Sequence, residues 1–145
     1  MVSWLAQNWF DLLQTLGIVG GLFHAGASLH FDTKVRKTEI NLSLTESHRE
    51  IWQQMVEQPA LSRILDPNAD PKEEPIKPEE RRFVNLVVMH VIATHNAIKE
   101  GVHADLPGLE DDVRALLALP IPREVVRAML TYQSPEVRSY LQKLL

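Results

Sequence analysis

Six histidines carry most of the chemical capacity of this chain, and His90, His95 and His103 stand close together. Imidazole is a common metal ligand and proton carrier near neutral pH, so a metal centre or an acid–base site is the first chemistry to weigh. The spacing argues against a shared ion. His90 and His95 are five residues apart, which turns them about 140° away from each other on a helix. No carboxylate stands at HExxH spacing, so zinc hydrolysis has little support and neither a metal nor a cofactor is expected. His90 reads as part of an apolar helix face, bonded to a neighbouring element, and His95 as facing a more polar surface. There is no glycine-rich phosphate loop and no GxSxG elbow. The acidic run Glu110-Asp111-Asp112 falls at an expected helix start, where negative charge is favourable in itself. The remaining polar cluster that could do chemistry is Arg82, Asn85 and His90, and no residue is assigned a catalytic role.

Composition narrows the classes further. The chain has 145 residues, 45% of them hydrophobic, and a net charge of −4. That suggests neither a disordered chain nor a polyanion-binding surface, so nucleic acid is not an expected partner. The absence of cysteine excludes disulfides, thiolate metal sites and cysteine nucleophiles, and fits a reducing compartment.

The element that must position everything else lies near the start. From Trp9 to Phe31 the chain reads WFDLLQTLGIVGGLFHAGASLHF, without Lys or Arg. Its length matches a hydrocarbon core of roughly 30 Å at 1.5 Å per residue. Trp4, Trp9 and Phe10 at one end, and His30 and Phe31 at the other, are suited to the headgroup boundary. Lys34, Arg36 and Lys37 follow at once. The positive-inside rule then puts the C-terminal portion in the cytoplasm and the N-terminus outside, in a bacterial inner membrane. Residues 1–33 are read as the spanning helix with its flanks, and residues 34–145 as a cytoplasmic helical domain. Two alternatives compete. Ala25-Gly26-Ala27 has the form of a signal-peptide cleavage site, although no basic residue precedes the apolar run and Asp11 interrupts its start. Asp11, Gln14, His24 and His30 also suit a buried or surface-lying helix of a soluble protein.

The polar residues of this segment share one side. Gln14, Gly17, Gly21, His24, Ala25 and Ser28 fall together at 100° per residue, with Leu12, Leu16, Val19 and Phe23 opposite. Gly17 and Gly21 make a GxxxG spacing that Ala25 continues, so helices can approach closely there, and a homo-oligomer is expected. The plain alternative is a chance match in which the glycines only kink the helix. A water-lined pore from the same stripe is the sharper form of the idea. Lys34, Arg36 and Lys37 suit anionic headgroups but need no role beyond stopping transfer.

No Gly or Pro appears between Phe31 and Pro59, so the helix is expected to run on through Glu57, with Ile40, Leu44, Ile51 and Met55, joined by Trp52 and Val56, as its apolar stripe. Pro59 to Leu65 forms a short helix and Asp66 to Pro78 an exposed loop. Pro78 opens a core helix, with Glu79 and Glu80 near its positive end. Phe83, Leu86, Val87, His90, Val91, Thr94, Ala97 and Ile98 form its apolar face, and Gly101 stops it. A short helix near Leu109 to Leu119 follows, then a turn at Leu119-Pro120-Ile121-Pro122 and two more helices divided at Ser134-Pro135. No strand pattern appears. The fold class is all-α, one N-terminal transmembrane helix continuing into a small cytoplasmic helical bundle.

Taken together, His48-Arg49-Glu50-Ile51-Trp52, Pro59 to Leu65, Phe83-Val84-Asn85-Leu86 with His90, and Leu119-Pro120-Ile121-Pro122 resemble a family of short, uncharacterised bacterial single-pass membrane-anchored proteins. The resemblance spans nearly the whole chain and implies the same layout, without an activity to carry over. In layout the chain is also similar to the membrane accessory proteins of type VI-B CRISPR loci, which combine a membrane helix, a HEPN-like helical domain and a ring-shaped assembly. HEPN ribonucleases use an Arg-x₄₋₆-His arrangement, and the interval from Arg81 or Arg82 to His90 is longer than that. The functional expectation is a self-associating membrane protein whose helical domain is an interaction or sensing module for a protein partner, with an oligomeric pore-type defence effector as its most specific form. The alternatives are an accessory subunit of a larger membrane complex and, more remotely, a HEPN-like ribonuclease.

Overall fold

The computed structural model describes the backbone of residues 2–145; the side chains of residues 2–7 and of Leu12 are outside that description, and with them the expected roles of Trp4 and Leu12. The described residues form helices, turns and loops with no strand. The α-helices are α1 (Val2–Glu57), α2 (Pro78–Lys99), α3 (Leu109–Leu117), α4 (Pro120–Met129) and α5 (Pro135–Leu144), with 3-10 segments at Pro59–Leu65 and Leu130–Tyr132. The chain divides into two compact units, one ending at Glu39 and one spanning Ile40–Leu145.

In the first unit the hydroxyls of Thr15 and Thr33 donate to the carbonyls of Asp11 and Leu29, at 2.7 and 2.8 Å. Each therefore bonds to its own helix and needs no water. The described apolar side chains from Trp9 to Phe31, the expected spanning segment, are exposed. Leu16, Leu22 and Leu29 are 67–69% exposed and Phe23 80%. By length and composition α1 is the one helix among the described residues suited to crossing a membrane. A core helix of a soluble protein passes the same test when mostly buried, whereas none of this apolar stretch is buried.

The second unit has its own core, in which Ile64, Leu117, Ile121, Val126 and Leu141 are almost wholly buried. Helix α4 packs against α2, α3 and the first 3-10 segment. Its two prolines stand in the first turn, where their missing N–H groups have no helical acceptor to lose, and Pro122 is buried with Ile121. Because Pro120 opens α4, Leu119 becomes its N-cap and α3 ends at Leu117 rather than reaching Leu119. The end of α2 is closed by Gly101 at a positive φ of 64°, with Gly101 N–H donating to Ile98 and Val102 N–H donating to Ala97 at 2.8 Å. This pairing satisfies carbonyls that the helix end would otherwise leave open. Ser134 accepts from Val137 N–H at the start of α5.

Two apolar stripes differ from their sequence reading. On α1, Ile51 is buried and Met55 partly so, but Ile40, Trp52 and Val56 are exposed, because one edge alone of this helix meets the core. On α2 the buried face is broader and rotated. Val84, Val88 and Ile92 are buried while Leu86 lies outside, since α2 is held between α4 and the first 3-10 segment.

A buried ion pair joins that 3-10 segment to the start of α2. Arg63 Nη1 donates to both carboxylate oxygens of Glu80, at 3.0 and 2.9 Å, and Glu80 is completely buried. Glu80 also accepts from Lys77 N–H at 2.8 Å, while Arg63 Nε meets Glu74 at 3.2 Å. Lys77 and then Arg63 hold the Glu74 carboxyl below its usual range. Removing one member leaves a buried charge without its counter-charge. Glu80→Ala is expected to lower the unfolding free energy of the helical signal by about 3 kcal/mol in a denaturant titration. The double change Arg63→Met with Glu80→Met should recover most of that loss, whereas a single-variant loss below about 1 kcal/mol would place the pair among ordinary surface bridges.

Candidate functional site

The second unit encloses an apolar pocket of about 410 Å³. That is within the range of roughly 300–1,000 Å³ for small-molecule sites. Four elements supply its wall because their apolar edges converge: His48 to Met55 on α1, Ile64 and Leu65 on the 3-10 segment, Phe83 to Thr94 on α2, and Leu109 to Leu116 on α3. The core face of α2 forms the floor through Phe83, Val84 and Val91, all buried. Leu106, in the loop before α3, closes one side.

The polar groups of the lining are His48, Thr94, His90 and Asp112. Thr94 is already engaged, donating to the His90 carbonyl at 2.9 Å. His48 Nε2 accepts from Trp52 Nε1–H at 3.0 Å, one helical turn away. In the neutral ring the proton of His48 therefore sits on Nδ1. The His48 and His90 rings lie with centroids 5.5 Å apart and planes tilted by 39°. Burial first, and repulsion from His48 second, hold the His90 imidazole below the ordinary histidine range. The result is an apolar cleft bordered by two imidazoles, with the half-exposed indole of Trp52 at its margin. Such a surface suits a ligand with an apolar body and one hydrogen-bonding end.

His95 belongs elsewhere. Its ring stacks on Tyr140 of α5, with centroids 3.7 Å apart, rather than facing an open polar surface. Among the described residues no three histidine, aspartate or glutamate side chains gather as metal ligands.

The polar residues Arg82, Asn85 and His90 do not line one common concavity. Arg82 lines a shallow groove with Gln54, Gln58 and Glu79, His90 lines the apolar pocket, and Asn85 lines neither. The Asn85 Oδ1 atom is buried without a hydrogen-bond donor. On α1, Gln14, Gly17, Gly21, His24, Ala25 and Ser28 are all exposed along one helix face, and beyond the local helix backbone no atom lies within 4 Å of where a side chain on Gly17 or Gly21 would begin. Nothing in the single chain requires those glycines. Lys34, Arg36 and Lys37 are likewise exposed. The sequence reading passed over His48, Thr94 and Asp112 as parts of a site. The i, i+4 spacing of His48 and Trp52 was a usable signal, since it makes the pair neighbours on a helix.

The lowered His90 pKa sets a direction for pH dependence. As the pH falls, the unfolded chain takes up this proton before the folded domain does. Stability is therefore complete above the ordinary histidine pKa of about 6.5 and declines below it, until the folded-state value is reached. A proton NMR titration should show His90 with a midpoint below that of a free histidine, and His48→Gln should move it partway back. A His90 midpoint that is normal, or unmoved by His48→Gln, would contradict the described environment. Comparison of the chain with protein-family models, with curated proteins and with solved structures finds no match, so the role of the pocket is read from its own residues.

Proposed function

We propose that this chain is a self-associating, single-pass membrane protein of the bacterial inner membrane, with its N-terminus outside and its helical bundle in the cytoplasm as a sensing or interaction module. The module receives an apolar or amphiphilic small molecule in the pocket bordered by His48 and His90. The observation that carries this reading is the exposure of the described apolar side chains of α1 between Trp9 and Phe31. A row of large side chains such as Leu16, Leu22 and Phe23 is costly in water, and lipid is the solvent that removes the cost. The absence of Lys and Arg before Lys34 supports the orientation.

Self-association rests on the open face of Gly17 and Gly21. Without a Cβ at either position, a second helix can approach to backbone contact, and Gln14, His24 and Ser28 gain partners there that lipid does not offer. An oligomeric pore-type effector is the most specific version of this reading, and the layout resemblance to CRISPR-associated membrane accessory proteins belongs with it.

Because the chain has no cysteine, single cysteines report topology cleanly. In intact cells, Ser3→Cys should react with a membrane-impermeant maleimide and Ser134→Cys should not; the reverse pattern would overturn the orientation. In detergent, light-scattering mass of the purified chain should exceed one copy, and Gly21→Leu should return it to a monomer. An unaltered assembly in Gly21→Leu would remove this face from the interface. A wild-type monomer that gains mass only with other subunits would favour an accessory subunit instead.

A further inference from the structure

A second concavity, sharing no residue with the His48 and His90 pocket, lies where the loop after the 3-10 segment meets α2 and α4. It has a volume of about 490 Å³, and four cations, Lys72, Arg81, Arg123 and Arg127, line it against two carboxylates, Asp70 and Glu124. Such an excess of positive charge is unexpected in a chain of net charge −4. The two carboxylates offset only half of the positive charge, and among the described residues neither forms an ion pair with these cations. Arg63, Lys77, Lys99, Arg114 and Lys143 are each paired with a glutamate, whereas among the described residues no ion pair engages Lys72, Arg81, Arg123 or Arg127. Asp70 accepts instead from the backbone N–H of Lys72.

The arginines are held on rigid supports. Ile121, Pro122, Val125 and Val126 bury one face of α4, which leaves Arg123 and Arg127, one turn apart, on the other. Arg81 stands in the first turns of α2, which packs against α4. Gathering like charges this way opposes folding unless an anion relieves their repulsion. Planar guanidinium forks offer paired N–H donors that match a tetrahedral oxyanion better than a single lysine does.

We infer that this groove binds a phosphoryl group, carried either by a small soluble molecule or by a phosphomonoester lipid headgroup. Three guanidiniums supply the paired donors, and the cavity is sized for a small ligand rather than for a nucleic-acid strand. This goes beyond the function proposed above and does not depend on it, because the groove belongs to Ile40–Leu145 alone.

Calorimetric titration of the full-length chain in a non-ionic detergent tests this with two phosphomonoesters, glycerol 3-phosphate and dihexanoyl phosphatidic acid. Binding of glycerol 3-phosphate is expected with a Kd of about 1 mM or tighter at low salt, and Arg123→Gln with Arg127→Gln should weaken it by at least about tenfold. Arg49→Gln, at an exposed position outside the groove, should leave it unchanged. Binding of dihexanoyl phosphatidic acid alone, with the same loss in the double variant, would identify the lipid headgroup as the source. Failure of both ligands to bind, equal binding by the double variant with its helical circular dichroism intact, or marked preference for an oligoribonucleotide would overturn the inference.

Discussion

Apolar surface that no protein covers is the constraint on which this molecule turns. Between Trp9 and Phe31 the described side chains of α1 are exposed, with Phe23 80% so. Water does not tolerate such a row at low cost, so something of low polarity must surround it. On the proposed reading that medium is lipid. The helix meets the backbone demand of a bilayer, because its N–H and C=O groups pair along the helix and the hydroxyls of Thr15 and Thr33 turn back onto carbonyls of their own chain.

The second unit answers the same physics differently, by covering its apolar faces with its own helices. Its helices are poor structures alone, since α3, α4 and α5 have only nine or ten residues and such helices are marginal in water. Their ends are therefore closed individually: Gly101 after α2, Pro120 at the start of α4, Ser134 before α5. The Arg63–Glu80 pair ties the 3-10 segment to α2 and lies beside the apolar core. Its desolvation cost makes it a weak source of net stability, yet it penalises any packing that separates the two partners. The apolar pocket is what remains where α1, α2 and α3 converge without filling the space between them. The cationic groove is the outer consequence of the same α4 amphipathicity that builds the core.

Local signals made the element boundaries readable. Gly101, Pro78 and Ser134-Pro135 each act within one helical turn, so their meaning is present in the sequence. The all-helical class followed from the 3.6-residue spacing of apolar residues along α2. Long-range facts were not readable. Val84, Val88 and Ile92 are buried because the helices on either side of α2 cover more than one stripe, which its own periodicity does not state. Arg63 and Glu80 are 17 residues apart across a proline-rich loop, and nothing local pairs them. The same holds for His48 and His90, whose rings meet only when α1 and α2 converge. Arg82 and His90, eight positions apart on α2, line different concavities, and their spacing in the chain does not say which.

The most direct test of the membrane assignment is whether the full-length chain stays with lipid after membranes from expressing cells are washed in alkaline carbonate. Retention in the membrane pellet through the wash, and release only by detergent, is the predicted result. Recovery of the chain in the wash as a monodisperse soluble monomer would mean that the open apolar side chains find cover within the protein itself, and would contradict the account.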